Sequence, residues 1–458
     1  MSYQHHLEAA ARAEAALIPM GRASAATRGG RPANDRFRLS FHGDIAAIEE
    51  DWRRFEQSAD GTVFQTFAWQ SCWLTHIGHL TGFQPLIAVI RAADGGILML
   101  APLAISGRPF RQLRWAAGDL NDYNAPLLAP EFARIVSRDD FRSLWGAMVR
   151  SLRRDPRFRF DFIVLDKMPE TVGRQPNPFL ALPVALNPSG AYLTHLTDDW
   201  NSFYVGKRSS ATRRRDRTKR KRLNDMGPVA FTTASDGDGT NAILTVLFAQ
   251  KARAFAQMGV ANFLALPGRE AFFRAFATDL ATRPLCHVSR LDVGPTLAAA
   301  NCGLVFHGRY YHVLASYDDS PVSRFGPGAA HLHDLMRYAI EHGCHEFDFT
   351  IGDEPYKHDW CDIEIKLFDH RSAATLPGWL AALPAMAFAR SKRLIKQTPV
   401  LWRLFVRMRA LLARSPASAR PAVDTGEEAS GAASLPPKAS PRAGSGATGA
   451  GTETQDEA

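Results

Sequence analysis

Two stretches of this 458-residue chain pass through secondary structure in the same order. In the first, "FQTFAWQSCWLTHIGHL" reads as a helix anchored by Phe67, Trp73, Leu74 and Ile77. The apolar runs "PLIAVIRA" and "ILMLAPLAIS" then flank "ADGG", which is hairpin chemistry. An amphipathic helix, "FRSLWGAMVRSLRR", and a buried strand, "FDFIVLDKM", follow. In the second stretch, "WNSFYV" and a basic run are helical, and "PVAFTTAS" is a strand. Two helices come next, "AILTVLFAQKARAFAQMG" and "REAFFRAFATDLATR", then three strands, "LCHVSRLDV", "LAAANCGLVFHG" and "RYYHVLASYD". A Gly-Pro-Gly turn, the helix "AAHLHDLMRYAIEHG" and the strand "HEFDFTIG" complete it. Element order repeats although residues do not. That pattern predicts an α/β (α+β) fold of two tandem modules, each a mixed sheet flanked by helices, joined near "LALPVALNPSGAYLTHL".

The expected boundaries follow from composition. Residues 1–35 are rich in Ala, Arg and Gly without periodicity and are expected to be disordered. The first module occupies 36–188 and the second 189–372. A basic amphipathic helical segment spans 373–414, and 415–458 is expected to be a disordered tail, since it holds almost no large apolar side chain to offset chain entropy. The first module shows no glycine turn before a helix comparable to that of the second. It is expected to be degenerate, with its "GDLNDYNAP" loop able to touch an acceptor.

A net charge of +9 favours anionic partners without choosing among them. The five cysteines, Cys72, Cys286, Cys302, Cys344 and Cys361, are widely spaced with no C-x-x-C. This argues against a disulfide framework or zinc ribbon and suits a reducing cytoplasm. The N-terminus lacks the basic head and apolar stretch of a secretory signal, and no apolar run is long enough to span a bilayer. The expected location is the cytoplasm, with peripheral contact at the inner face of the membrane left open. The mixture of Trp402, Leu404, Phe405 and Met408 with Lys396, Arg403, Arg407 and Arg409 suits either a helix on anionic lipid or one docked on the modules.

Two constellations carry possible chemistry. In "SRFGPGAAHLHDLMRYAIEHG", Gly326, Pro327 and Gly328 turn a strand into a helix; exposed amides at such a start, with Arg324 beside them, suit an anion. The alternative is an ordinary strand-to-helix turn. In "HEFDFTIGDEPYKHDW", a strand delivers Asp348 and a glycine turn delivers Asp353, Glu354, Tyr356, Lys357, His358 and Trp360. These supply base, acid and cation, or else form a polar loop anchored by Tyr356 and Trp360. The many histidines do not make a metal site: His331 and His333 point to different helix faces, His342 and His345 straddle a helix end, and no acidic cluster completes a ligand set.

The run "KRSSATRRRDRTKRKRLNDMGP" places ten bases between Lys207 and Arg222 against Asp216 alone. Leu223 is its large apolar residue, so as a helix it reads as polar all round. No zinc finger, RRM motif or helix-turn-helix accompanies it, which disfavours DNA, although sequence-independent phosphate contact fits.

Taken in order, "FQTFAWQSCWL", "LAPLAI", "GDLNDYNAPLL", the basic run and the segment from "YYHVLASYDDS" to "YKHDW" resemble the CelD-like acyltransferases of the GNAT superfamily, associated with cellulose and exopolysaccharide synthesis. They are also similar to the FemABX-type aminoacyl transferases. The resemblance spans roughly residues 37–370. It implies acyl transfer from an acyl-CoA such as acetyl-CoA to an amine or hydroxyl of a saccharide or lipid-linked precursor, without a metal. It maps pyrophosphate onto Arg324, Gly326, Gly328, Ala329 and Ala330, with Ser323 standing where the superfamily turn carries Arg or Gln. It implies that Lys357 stabilises the oxyanion, that Asp348, Asp353 or Glu354 takes the acceptor's proton, and that Tyr356 donates to the thiolate. Arg213, Arg214, Arg217 and Trp360 are the expected substrate contacts. The alternatives are a FemABX-like transferase using charged tRNA and a non-catalytic GNAT-like part of a polysaccharide assembly.

Overall fold

The computed structural model describes residues 36–375 and 378–379. The segments expected to be disordered and nearly all of the basic segment 373–414 lie outside them. The described chain builds two mixed sheets of the same design. In the first, β1 (Phe37–His42), β2 (Gln84–Ala92), β3 (Ile97–Ser106) and β4 (Gln112–Trp115) are successive antiparallel neighbours. β4 then pairs in parallel with β5 (Phe162–Pro169) over three positions, Gln112↔Phe162 to Arg114↔Val164.

The second sheet repeats this plan. β6 (Ala191–His195) opens the segment, and β7 (Val229–Thr233), β8 (Cys286–Val293), β9 (Thr296–Phe306) and β10 (Arg309–Tyr317) are antiparallel neighbours. β10 pairs in parallel with β11 (Glu346–Ile351), again over three positions, Arg309↔Glu346 to Tyr311↔Asp348. β6 lies on the far side of β11 and also pairs β12 (Ile363–Ile365). The last strand, β13 (Leu367–Ala373), does not join this sheet. It crosses back and pairs antiparallel with β5 of the first. The first module is therefore not contiguous in sequence: the division at 188/189 falls between the two sheets, whereas residues 367–372, expected in the second module, pair with the first. Both β10 and β11 outrun their shared pairing: β10 stays bonded to β9 up to Tyr317, and β11 to β6 up to Ile351. The sheet thus opens into a V beyond Tyr311 and Asp348.

Helices cover the sheets where sequence periodicity requires it. α1 (Glu49–Glu56) and α2 (Phe67–Trp73) precede β2. α3 (Arg138–Arg154) is started by a reciprocal Ser137/Asp140 capping box and buries Phe141, Leu144, Trp145, Met148, Val149 and Leu152 on one face. In the second module α4 (Trp200–Lys207) and α5 (Ser210–Met226) precede β7. α6 (Gly237–Gln257) and α7 (Arg269–Thr278) precede β8, and α8 (Pro327–Glu341) links β10 to β11. The two modules share one apolar core. Trp69 of α2 meets Phe272 and Phe276 of α7 edge-on at 4.8 and 5.2 Å, and Phe64 meets Tyr311 of β10 at 5.7 Å.

The basic run forms α5, and its polar-all-round reading needs one correction. Leu223 is fully buried against Val293, Ala298 and Val322. Burying that one side chain is worth about 1.5–3 kcal/mol, enough to dock the helix at its C-terminal end. Arg220 pairs with Asp334 of α8 at 2.8 Å, and Tyr204 donates to Asp216 at 2.8 Å.

Candidate functional site

The glycine turn does what its sequence suggests. Gly326 sits at φ +68°, a left-handed conformation that a side chain would strain, and Pro327 opens α8. Beside it α5 and α4 wall off a cavity of about 310 Å³. Arg217, Lys219, Arg220 and Arg337 supply its positive charge against Asp216 and Asp334. Trp200, Tyr204, Phe325 and His333 supply aromatic surface, with Trp200 and Tyr204 stacked at 5.1 Å. Gly326, Ala329 and Ala330 also line it.

The structure therefore joins part of the expected phosphate turn to part of the basic run. Of the expected substrate contacts, Arg217 reaches this cavity. Arg213 instead donates to the carbonyls of Val205 and Arg208 at the end of α4, while Arg214 is exposed and lies outside the lining. Trp360 is buried, stacked on Phe203 at 6.1 Å and covered by the Arg208 guanidinium at 4.7 Å. Arg324 is exposed, with its guanidinium 4.8 Å from the Phe325 ring. Gly328 packs close to Tyr317, which a Cβ would approach to 3.2 Å.

The V between β10 and β11 opens toward the C-terminal ends of both strands, the end from which β10 leads into the turn before α8. His312, the first β10 residue beyond the last pair, lies 6.3 Å from the ring of Phe349 on β11, and Phe349 lies 6.1 Å from Tyr356. Tyr356 and Lys357 belong to the one-turn helix α9 (Pro355–His358). Tyr356 is 40% exposed. Lys357 is fully buried, and its ammonium donates to the carbonyls of Thr350 (3.1 Å) and Ile351 (3.0 Å) and lies 2.9 Å from Glu354 Oε2. Thr350 has φ +60°, unusual for a β-branched residue, so the ammonium clamps a kinked strand end. Neither Lys357 nor the buried Glu354 has a surface to offer a substrate. Asp353 is exposed, accepting from Tyr192 (2.8 Å) and facing His358 (2.7 Å).

Asp348 lies between the modules, fully buried. It accepts from Tyr123 of the first module at 2.7 Å and from the Thr350 amide, and faces Arg309 at 3.4 Å. Burial pushes its carboxyl up to about 6, with Arg309 and the two hydrogen bonds opposing. A group raised in the folded state favours folding fully at low pH, and that contribution is lost as pH rises through about 6. The Tyr123 bond is charge-assisted once Asp348 ionises. Tyr123→Phe is therefore expected to lose about 1–3 kcal/mol in urea unfolding at pH 8, and the loss should shrink below pH 6. An equal loss at both pH values would count against this latch.

The corresponding V of the first module is filled by the chain itself. Asn121, Asp122, Tyr123 and Asn124 are all buried. The Asn124 amide donates to Lys167 O at 3.0 Å, its side chain donates to Asp166 O at 3.0 Å, and the Lys167 ammonium donates to Asn121 O. The "GDLNDYNAP" loop is thus a plug in its own sheet and a bridge to Asp348, rather than an exposed acceptor contact.

Sequence reasoning weighed His312 only among the histidines considered as metal ligands and passed over Lys251. The signal for His312 was a titratable residue inside an otherwise apolar and aromatic strand. Among the described residues no group of three or more His, Cys, Asp or Glu could hold a metal ion, and no helix is long and apolar enough to cross a membrane.

A mixed sheet split between a parallel pair, with a helix linking the two strands, is present twice, and only in the second module does that helix start at a glycine turn. Residues 210–358 match the family model described as an acetyltransferase (GNAT) domain. Similar solved structures include FemX, at 12% identity over 70% of this chain and 95% of that one, with a TM-score of 0.49. L-PGS from Bacillus licheniformis matches at 11% identity over 74% and 96%, with a TM-score of 0.45. A tandem GNAT protein from the clavulanic acid biosynthesis pathway matches at 12% identity over 74% and 99%, with a TM-score of 0.41. No curated protein matches the sequence.

Proposed function

We propose that the second module transfers an acyl group from an acyl-CoA to an amine or hydroxyl acceptor. The observation that carries this reading is the pairing of a cationic, aromatic cavity at the start of α8 with a V-shaped opening at the same end of the β10–α8–β11 unit, where both strands finish. The cavity suits the nucleotide and phosphates of the donor. The V suits a narrow, extended arm ending in a thioester. The plugged first module then serves as a wall rather than a second site. A saccharide or its lipid-linked precursor in cellulose or exopolysaccharide synthesis is the acceptor class favoured by the CelD-like resemblance of the sequence.

The test is acetyl-CoA binding by calorimetry at low and high salt. Binding on the order of micromolar that weakens with salt is expected. No binding at either salt would sink the acyl-CoA reading.

A second reading, an aminoacyl transferase using charged tRNA, is favoured by Arg214, Arg215 and Arg222, which are exposed along α5 outside the cavity lining. Displacement of acetyl-CoA by deacylated tRNA would support it.

A further inference from the structure

Burial of Lys357 and Glu354 removes the expected cation and one expected base from the reacting end of the V. His312 stands there, and Lys251 interacts with it electrostatically. His312 is half-buried at the vertex, 5.9 Å from Phe347 and 6.3 Å from Phe349 across the opening. Its imidazole makes no hydrogen bond among the described residues. The buried rings of His287, His331 and His370 are each held by a hydroxyl or carbonyl. Lys251 projects from α6, whose neighbouring Gln250 is fastened to Leu297 O at 3.0 Å and to Ser316 of β10 at 2.7 Å.

The Lys251 ammonium interacts electrostatically with Glu354, just beyond β11, and with His312 on β10, and the Gln250–Ser316 bond holds this turn of α6 against β10. The ammonium has no hydrogen bond or ion pair among the described residues, and it lies 5.8 Å from the Phe255 ring. The ammonium groups of Lys167 and Lys357, by contrast, are committed to carbonyls. Burial holds Lys251 down to about 8, with Glu354 opposing. Burial, with Lys357 and Lys251 nearby, holds His312 down to about 3. Near neutral pH one is a cation and the other a neutral acceptor.

We propose that His312 takes the acceptor's proton and that Lys251 offers its ammonium to the thioester carbonyl oxygen. This rests on the acyl-CoA reading. The acceptor's lone pair bonds to the carbonyl carbon, and the carbonyl pair moves onto oxygen beside Lys251. The acceptor's proton passes to the imidazole. The carbonyl re-forms, the C–S bond breaks, and the thiolate leaves with its electron pair and receives that proton from the imidazolium. An amine acidifies on bonding to the carbonyl carbon, so a weakly basic imidazole is sufficient.

The test uses the full chain, acetyl-CoA as donor and hydroxylamine as a small acceptor that needs no acceptor pocket. His312→Gln and Lys251→Met are expected to bind acetyl-CoA within about threefold of wild type by calorimetry, which also reports folding. Thiol release should fall about 100-fold in each. Added imidazole should restore part of the rate to His312→Gly, and Lys251→Arg should outperform Lys251→Met. Equal binding with undiminished thiol release in both variants overturns the assignment. Wild-type binding without thiol release also overturns it while leaving the donor reading standing. Absence of wild-type binding overturns the donor reading and this inference together.

Discussion

Lys357→Met is expected to lower the unfolding free energy by about 3–5 kcal/mol, since it leaves the buried Glu354 carboxylate without its cation. It also strips the Thr350 and Ile351 carbonyls of their donor at the kinked end of β11. Urea unfolding of the whole chain measures the effect. Adding Glu354→Gln should recover about 1–3 kcal/mol, because a neutral amide is easier to leave unpaired than a charge. Lys357→Arg should not rescue, since a guanidinium needs more room than a fully enclosed ammonium. The residue was expected to meet the substrate, so the result separates two roles. A folded, fully stable Lys357→Met protein that binds donor but does not turn it over would return Lys357 to the chemistry. Asp353→Asn, on the exposed side of the same loop, should change stability by less than about 0.5 kcal/mol.

The charge-reversing pair Arg217→Glu and Lys219→Glu is expected to weaken acetyl-CoA binding about 100-fold at low salt, and by less as salt rises. Both side chains are exposed on α5 and line the cavity beside Gly326. Neither holds the helix in place. Leu223 and the Arg220–Asp334 pair do that, so the variant should fold with an unchanged unfolding midpoint. Calorimetry at two salt concentrations checks both halves of the expectation. Unchanged affinity would move the donor's phosphates elsewhere and leave α5 free for another polyanion.

Local pattern made much of the fold legible. The continuous apolar strands around "ADGG" and the six-residue buried stripe of α3 are written in neighbouring residues, as is the break imposed by Gly326 and Pro327. The strand exchange is not. β13, "LFDHRSA", mixes polar and apolar residues on both faces, and its partner β5 lies about two hundred residues away, beyond the reach of any local period. The site was legible in its location and less so in its roles. The "YKH" loop does border the V, yet burial decides which of its side chains is free, and burial is a tertiary property. The lysine beside an aromatic became a clamp, while a lysine in α6 and a histidine in β10 are the side chains proposed for the chemistry in its place. The basic run showed its charge plainly, but the Arg217 and Lys219 side of α5 was chosen by the burial of Leu223 and the Arg220–Asp334 pair.

The crossing of β13 back to the first sheet also has a bearing on biosynthesis. The first module is translated early but lacks a strand until residues 367–373 have left the ribosome. Its β5 edge stays unpaired while the whole second module is made, exposed to mispairing with any extended segment nearby. Emergence of residues 367–373, rather than completion of the first half, is the moment at which the first module is finished. A truncation before residue 367 would damage the half that it leaves apparently intact.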